Sequence, residues 1–180
     1  MLTVIENLLS SCKSNGIPIC NWKGHFNVEK HLAGTGDLTV TGGSGDDTFD
    51  MTTDALDGDD TIVGGAGSDT LTDDTATHTN TTLAGVTGVE VLDYDAASSI
   101  TLNASTDFTT FDFDAAGNQT LTLAAGYTGA TTVDITGDAT NADTVTNTAA
   151  VELTVKGNAN DFDAATTITG TTTSTETLEI

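Results

Sequence analysis

Three near-copies of one nine-residue frame lie between positions 42 and 72 and constrain this chain more than any other feature. They are Gly42-Gly43-Ser44-Gly45-Asp46-Asp47-Thr48-Phe49-Asp50, Ala55-Leu56-Asp57-Gly58-Asp59-Asp60-Thr61-Ile62-Val63 and Gly64-Gly65-Ala66-Gly67-Ser68-Asp69-Thr70-Leu71-Thr72. The frame is a glycine pair, a spacer, a glycine, a spacer, an aspartate, a spacer and a large apolar residue. Glycine at the first, second and fourth places predicts a tight loop with positive φ, which most residues resist. Such a loop turns its carbonyls inward, and the aspartate at the sixth place adds a carboxylate. The next residues form a short strand whose single large apolar side chain points into a core.

Two such repeats make one coil of a flattened right-handed roll, so loops on one edge recur at every second repeat. Stacked loops then enclose carbonyl and carboxylate oxygens, a donor set suited to a hard cation of flexible coordination. Calcium fits better than magnesium, which demands rigid octahedral geometry and retains its waters. The second copy lacks the glycine pair, and Met51 to Asp54 separate it from the first. Copies one and three are therefore expected to share an edge, with Asp47 and Asp69 flanking one ion. Asp60 is expected on the opposite edge, in a half-formed site completed by Asp57 or Asp54. The candidate ligand positions are Asp47, Asp69, Asp60, Asp46 and Asp57, with Gly42, Ser44, Gly64, Ala66 and Ser68 in the loops. The competing reading is ordinary Gly-Asp turns of a β protein.

Charge divides the chain in two. Of 180 residues four are lysine and none is arginine, against 27 acidic residues. Residues 1–36 carry a side-chain charge of +1 and the remainder −24. Cys12, Cys20, the sole proline (Pro18) and the sole tryptophan (Trp22) all precede Asp37. The organisation expected is an N-terminal segment (1–36, a possible fusion remnant), a calcium-binding roll (37–73) and a Thr-rich solenoid (74–180). Net charge of −23 argues against DNA, RNA and anionic membranes as partners, since it repels phosphate. A few aspartates are expected to bind calcium, and most to face water. The lack of cysteine after residue 20 suits an extracellular protein without disulfides. No apolar run approaches the roughly 20 residues of a membrane span. The N-terminus does not read as a Sec signal, which leaves type I secretion as the expected route.

Residues 3–14 predict a short helix. Thr3 and Glu6 have capping-box spacing, Ile5, Leu8, Leu9 and Cys12 form a stripe, and Asn15-Gly16 with Pro18 end it. Beyond residue 38 the pattern is that of strands. Apolar pairs recur as Leu92/Tyr94, Phe111/Phe113, Val133/Ile135, Leu153/Val155 and Leu178/Ile180, interleaved with Ile100/Leu102, Leu121/Leu123, Val145 and Ile168. A two-strand coil repeated every 20-odd residues is the signature of a solenoid. Alanine and glycine clusters at 96–97, 115–117 and 124–126 suit its corners, and threonine its outer strand faces. The fold expected is mainly β, a parallel β-roll continuing into a right-handed parallel β-solenoid after the helix. An antiparallel sandwich is the alternative.

The stretch Leu38–Ile180, about four-fifths of the chain, resembles RTX (hemolysin-type) surface-layer and related repeat proteins of Gram-negative bacteria. The nonapeptides and Gly85-Val86-Thr87-Gly88-Val89-Glu90-Val91-Leu92 carry the resemblance. It implies folding driven by calcium outside the cell, and self-association or cell-surface contact. Residues 1–40 are similar to the start of a nucleotidyltransferase-like domain, with Gly24-His25 as its turn and Asp37-Leu38-Thr39 in place of its Asp-x-Asp pair. Thr39 stands where the second carboxylate should be, and one aspartate cannot hold two metals, so transferase activity is rejected. His25, His31 and His78 lack partners at zinc spacing and are expected on the surface. No nucleophile elbow or phosphate-binding loop occurs. The function expected is a non-enzymatic calcium-binding structural module, secreted or on the cell surface. The alternative is the carrier module of an RTX enzyme, toxin or adhesin.

Overall fold

The computed structural model describes residues 27–28, 38–52, 56–96, 98–113, 117–136, 142–162 and 166–180. The expected helix at 3–14, Cys12, Cys20, His25, His31 and Asp54 lie outside the described residues. The strands follow as β1 (Asn27–Val28), β2 (Thr39–Gly43), β3 (Thr48–Asp50), β4 (Thr61–Gly65), β5 (Thr70–Asp73), β6 (Thr77–Thr79), β7 (Val86–Thr87) and β8 (Val91–Tyr94). After them come β9 (Ser99–Leu102), β10 (Thr110–Asp112), β11 (Thr120–Leu123), β12 (Thr131–Asp134), β13 (Thr144–Asn147), β14 (Glu152–Lys156), β15 (Thr167–Thr169) and β16 (Thr175–Glu179).

The ladders between these strands are all parallel, and they stack the chain into a β-solenoid of about six turns. One eight-stranded sheet, β1-β3-β5-β8-β10-β12-β14-β16, runs the length of the coil. It passes from the nonapeptides into the Thr-rich strands without a break, since Leu71 pairs with Leu92. A second wall is β6-β9-β11-β13-β15. A third, β2-β4-β7, gives the coils around the nonapeptides an extra side that the spacing of apolar pairs did not disclose.

Burial alternates along each strand because a pleated strand sends successive side chains to opposite faces. On β11 the threonines are half-buried and the leucines buried. One isolated coil cannot cover its inward residues; its neighbours do so. Like therefore stacks on like. Leu71, Leu92, Phe111, Val133, Val155 and Leu178 form one column. Ile100, Leu121, Val145 and Ile168 form another, as their spacing predicted.

Two registers differ from expectation, the later one because Val155 rather than Leu153 sits beside Leu178. The apolar pairs suggested Val133/Ile135 over Leu153/Val155, but Val133 sits beside Val155 and Thr131 beside Leu153. Ile135 thereby falls level with Gly157, its N–H bonded to the Lys156 carbonyl at 2.9 Å. A Cβ on Gly157 would lie 2.9 Å from both Ile135 Cγ1 and Phe162 Cε2, so these side chains occupy the room that residue 157 leaves. Packing selected a register two residues away from the simple pairing. On the last strand Leu178 is 50% exposed, unlike the rest of its column, and Ile180 just after it is 79% exposed.

Leu121→Ala should cost about 2–5 kcal/mol in urea unfolding, because Leu121 is fully buried between Ile100 and Val145. Leu178→Ala should cost less than about 1 kcal/mol, since half of that side chain is already in water. Equal losses would contradict the packing described.

Candidate metal centre

The corner joining the β2-β4-β7 sheet to the eight-stranded sheet carries copies one and three, stacked 22 residues apart. Gly43 pairs with Gly65 and Thr48 with Thr70. The loops between are laced by Ala66 N–H to the Gly43 carbonyl (3.0 Å) and Thr70 N–H to the Asp47 carbonyl (2.8 Å). Both sixth-place aspartates are buried. Asp69 Oδ1 accepts the Asp47 N–H at 2.7 Å, and Asp46 Oδ1 accepts the Ser68 N–H at 2.8 Å. Asp69 Oδ2 is buried and accepts no hydrogen bond.

The first-place glycines are required for close approach rather than for their dihedrals. A Cβ on Gly64 would overlap the Gly88 carbonyl oxygen and lie 2.5 Å from Asp69 Oδ2. A Cβ on Gly42 would overlap the Gly64 carbonyl oxygen and lie 2.6 Å from Asp47 Oδ2. At each level, then, a carbonyl and a carboxylate oxygen press on one glycine. Positive φ occurs in copy three at Gly65 (122°) and Gly67 (141°), whereas no glycine of copy one has it. The expectation of positive φ at three places per copy is corrected to these two positions.

Electrostatics make this corner costly without a counter-charge. The Asp69 carboxyl is raised above its usual range, foremost by burial and also by the charges of Asp47, Glu90 and Asp46. The hydrogen bond from the Asp47 N–H pulls it the other way. The residues fit a hard cation in donor type: carboxylates and carbonyls, with no nitrogen or sulfur. Among the described residues no three acidic, histidine or cysteine side chains converge on one point, so backbone oxygens would have to complete any shell.

Copy two lies at the other end of the three-stranded sheet. Asp60 Oδ1 accepts the Leu38 N–H and Asp60 Oδ2 the Asp57 N–H, both at 2.9 Å. Asp57 Oδ1 in turn accepts the Asp59 N–H at 2.9 Å. Asp57 thus meets Asp60 through its backbone, and the pair forms a reciprocal turn clasp. The same clasp recurs at Asn158–Asp161, at Thr79–Thr82 and at Thr171–Ser174. Its repetition at corners outside the nonapeptides identifies it as a way of closing turns.

The nonapeptide frame missed Glu90, whose Oε2 accepts the Asp69 N–H at 2.8 Å, and Asp107, whose Oδ2 accepts the Gly88 N–H at 2.7 Å. Gly88 and Glu90 in the leading segment 85–92 were the available signal, but their spacing does not match the frame.

His78, expected at the surface, is fully buried on β6, in line with Ile100. Its Nε2 lies 3.2 Å from Asp73 Oδ2, and Asp73 is also fully buried. Thr75 donates to Asp73 Oδ1 from its N–H (2.9 Å) and hydroxyl (2.8 Å). Tyr94 meets the His78 ring edge-on at 5.3 Å and Phe113 at 6.0 Å. Burial pushes the Asp73 carboxyl up to about 6 and the His78 imidazole down to about 4. This pair bridges two walls of the coil from within, a role that lone-histidine spacing cannot reveal.

Comparison with protein-family models, curated proteins and solved structures found no match.

The core pair predicts opposed pH slopes. Folded Asp73 keeps a proton that the unfolded chain releases near pH 3.8, so its contribution falls as pH rises towards about 6. Folded His78 refuses a proton that the unfolded chain takes up below 6.5, so its contribution rises from about pH 4 to 6.5. Relative to wild type, His78→Leu should lose urea stability as pH rises across this window, and Asp73→Asn should gain it. Variants that track wild type throughout would show that the pair does not titrate in this way.

Proposed function

We infer that this chain is a calcium-binding structural module of a secreted or cell-surface bacterial protein of surface-layer type. The observation that carries the reading is the stacked glycine corner, where Asp69 is buried with one carboxylate oxygen outside any hydrogen bond. Asp47 and Asp69 would hold the ion, with carbonyls of the 42–46 and 64–68 loops. Calcium would supply positive charge and tolerant coordination to oxygens that otherwise repel one another. In this reading 37–73 is the ion-loaded start of the coil and 74–180 its ion-poor continuation. The coil is taken as right-handed, as parallel crossovers ordinarily are.

The chain's own residues prepare the site. Asp69 Oδ1 and Asp46 Oδ1 hold N–H groups of the facing loop, which fixes the spacing of the two levels. Gly42 and Gly64 admit carbonyls that any side chain would exclude. The charge of −23 opposes compaction, and ligation offsets that repulsion locally. Extracellular modules of this kind bind calcium at about 10⁻⁴–10⁻³ M, so the module would be loaded outside the cell and empty in cytosol. Contact with further copies or with a cell surface belongs to the same proposal.

Thermal unfolding followed by circular dichroism tests it, with calcium titrated against a magnesium control. Ten Kd of calcium should stabilise the fold by about 1.4 kcal/mol, and magnesium much less. In Asp47→Asn/Asp69→Asn, which keeps an oxygen for the Asp47 N–H, the calcium response should disappear. A wild type indifferent to calcium and chelator would sink the reading.

A further inference from the structure

The outward face of the β6-β9-β11-β13-β15 sheet is built from nearly one side chain, repeated in two directions. Each strand has a core residue flanked by hydroxyls: Thr77-His78-Thr79, Ser99-Ile100-Thr101, Thr120-Leu121-Thr122, Thr144-Val145-Thr146 and Thr167-Ile168-Thr169. The central residue faces the coil interior and its two flanks face out. Pairing is one to one on all four ladders. Thr79, Thr101, Thr122, Thr146 and Thr169 therefore make one row, and Thr77, Ser99, Thr120, Thr144 and Thr167 a second. Neighbours within a row stand about 4.8 Å apart, and the two rows about 6.6 Å apart.

Two observations set this face apart from a plain strand surface. The first is charge. Of 27 acidic residues none stands in either row, although strand propensity alone would admit other side chains there. The eight-stranded sheet, wound from the same coils, carries Asp93, Asp112 and Asp134 in file at an outward position, then Lys156 and Glu179. The second is hydrogen bonding. Among the described residues the hydroxyls of Thr101, Thr120, Thr122, Thr144 and Thr146 bond to no protein group, whereas Thr72 on the other sheet gives its hydroxyl to Asp93 at 3.0 Å.

Such a face suits a ligand that is uncharged, hydrogen-bonding and itself periodic. A small solute would cover two or three positions and gain nothing from the rest. Anions are repelled by the charge of −23, and a cation would be drawn to the acidic wall instead. Water ordered as a lattice meets all three conditions. Each threonine offers a hydroxyl that both donates and accepts, beside a methyl group, and its stiff χ1 holds the two in place before contact. A charged side chain would orient nearby waters towards itself and break a tetrahedral network. We propose that the two threonine rows form an ice-binding face, which holds ordered water in register with a crystal surface. This activity goes beyond the calcium reading and does not rest on it, since no nonapeptide residue belongs to this sheet.

A single ice crystal grown in a solution of the full chain, with calcium in excess, reports the gap between melting and freezing points. Wild type should open such a gap, and Thr122→Lys, at the centre of the face, should lose most of it. Thr132→Lys puts the same charge on the outward face of the eight-stranded sheet and should keep the gap. Circular dichroism melts check that all three proteins are folded. A folded wild type that freezes at its melting point would overturn the proposal. Equal loss in both variants, or loss in neither, would overturn the assignment to this face. A wild type without the gap that is retained on powdered cellulose would give the face to a crystalline polysaccharide and overturn ice as its ligand.

Discussion

A corner N–H that has left one sheet and not yet entered the next is the problem this coil must solve at every turn. A backbone donor without a partner is costly when buried. Here the partner is repeatedly a side chain from the adjoining coil. Asp60 takes the Leu38 N–H, Asp69 that of Asp47, Glu90 that of Asp69 and Asp143 that of Gln119, each at 2.7–2.9 Å. Asn118 and Asn80 do the same for Ala142 and Asn103. A hydrogen bond to an ionised acceptor is stronger than a neutral one, which favours aspartate at the most buried corners. These clasps set the vertical order on which the parallel ladders and the apolar columns depend.

They also change what the acidic composition means. Most carboxylates were expected to face water and a few to bind calcium. Among the described residues Asp47, Asp60, Asp69, Asp73, Asp143 and Asp161 are buried, while the other acidic side chains are at least partly exposed. Of these, Asp60, Asp69, Asp73, Asp143 and Asp161 each accept a backbone N–H, and Asp73 also faces His78. Where carboxylates accumulate on one corner, as at Asp46, Asp47 and Asp69, side chains that order the coil are also the ones proposed to hold a cation. Fold and proposed function thus share the same side chains.

Much of the architecture was legible from periodicity. The Ile100, Leu121, Val145, Ile168 column and the stacking of copy one on copy three follow from spacing alone, because like residues must meet when coils of similar length are piled up. Other features were not legible. The two-residue shift beside Gly157 depends on side chains from two different elements competing for one space. The third wall arises from two strands that run into the glycine pairs of the frame and one of only two residues, so none carries the apolar pair that marks the other walls. His78 looked like a loop residue because its partner Asp73 sits across a corner, in another strand.

The sequence by itself determined a repeating parallel coil and the aspartates of its glycine loops, since both are local patterns that backbone chemistry reads directly. Only the tertiary structure decided what those aspartates touch. Asp60 came to hold the Leu38 N–H and Asp69 that of Asp47 because of which coil lies beside each of them. Glu90 reaches the Asp69 N–H across a shortened corner that no nine-residue frame contains. Stacking distance is a property of neighbouring coils, and a carboxylate's role follows from what lies within its reach.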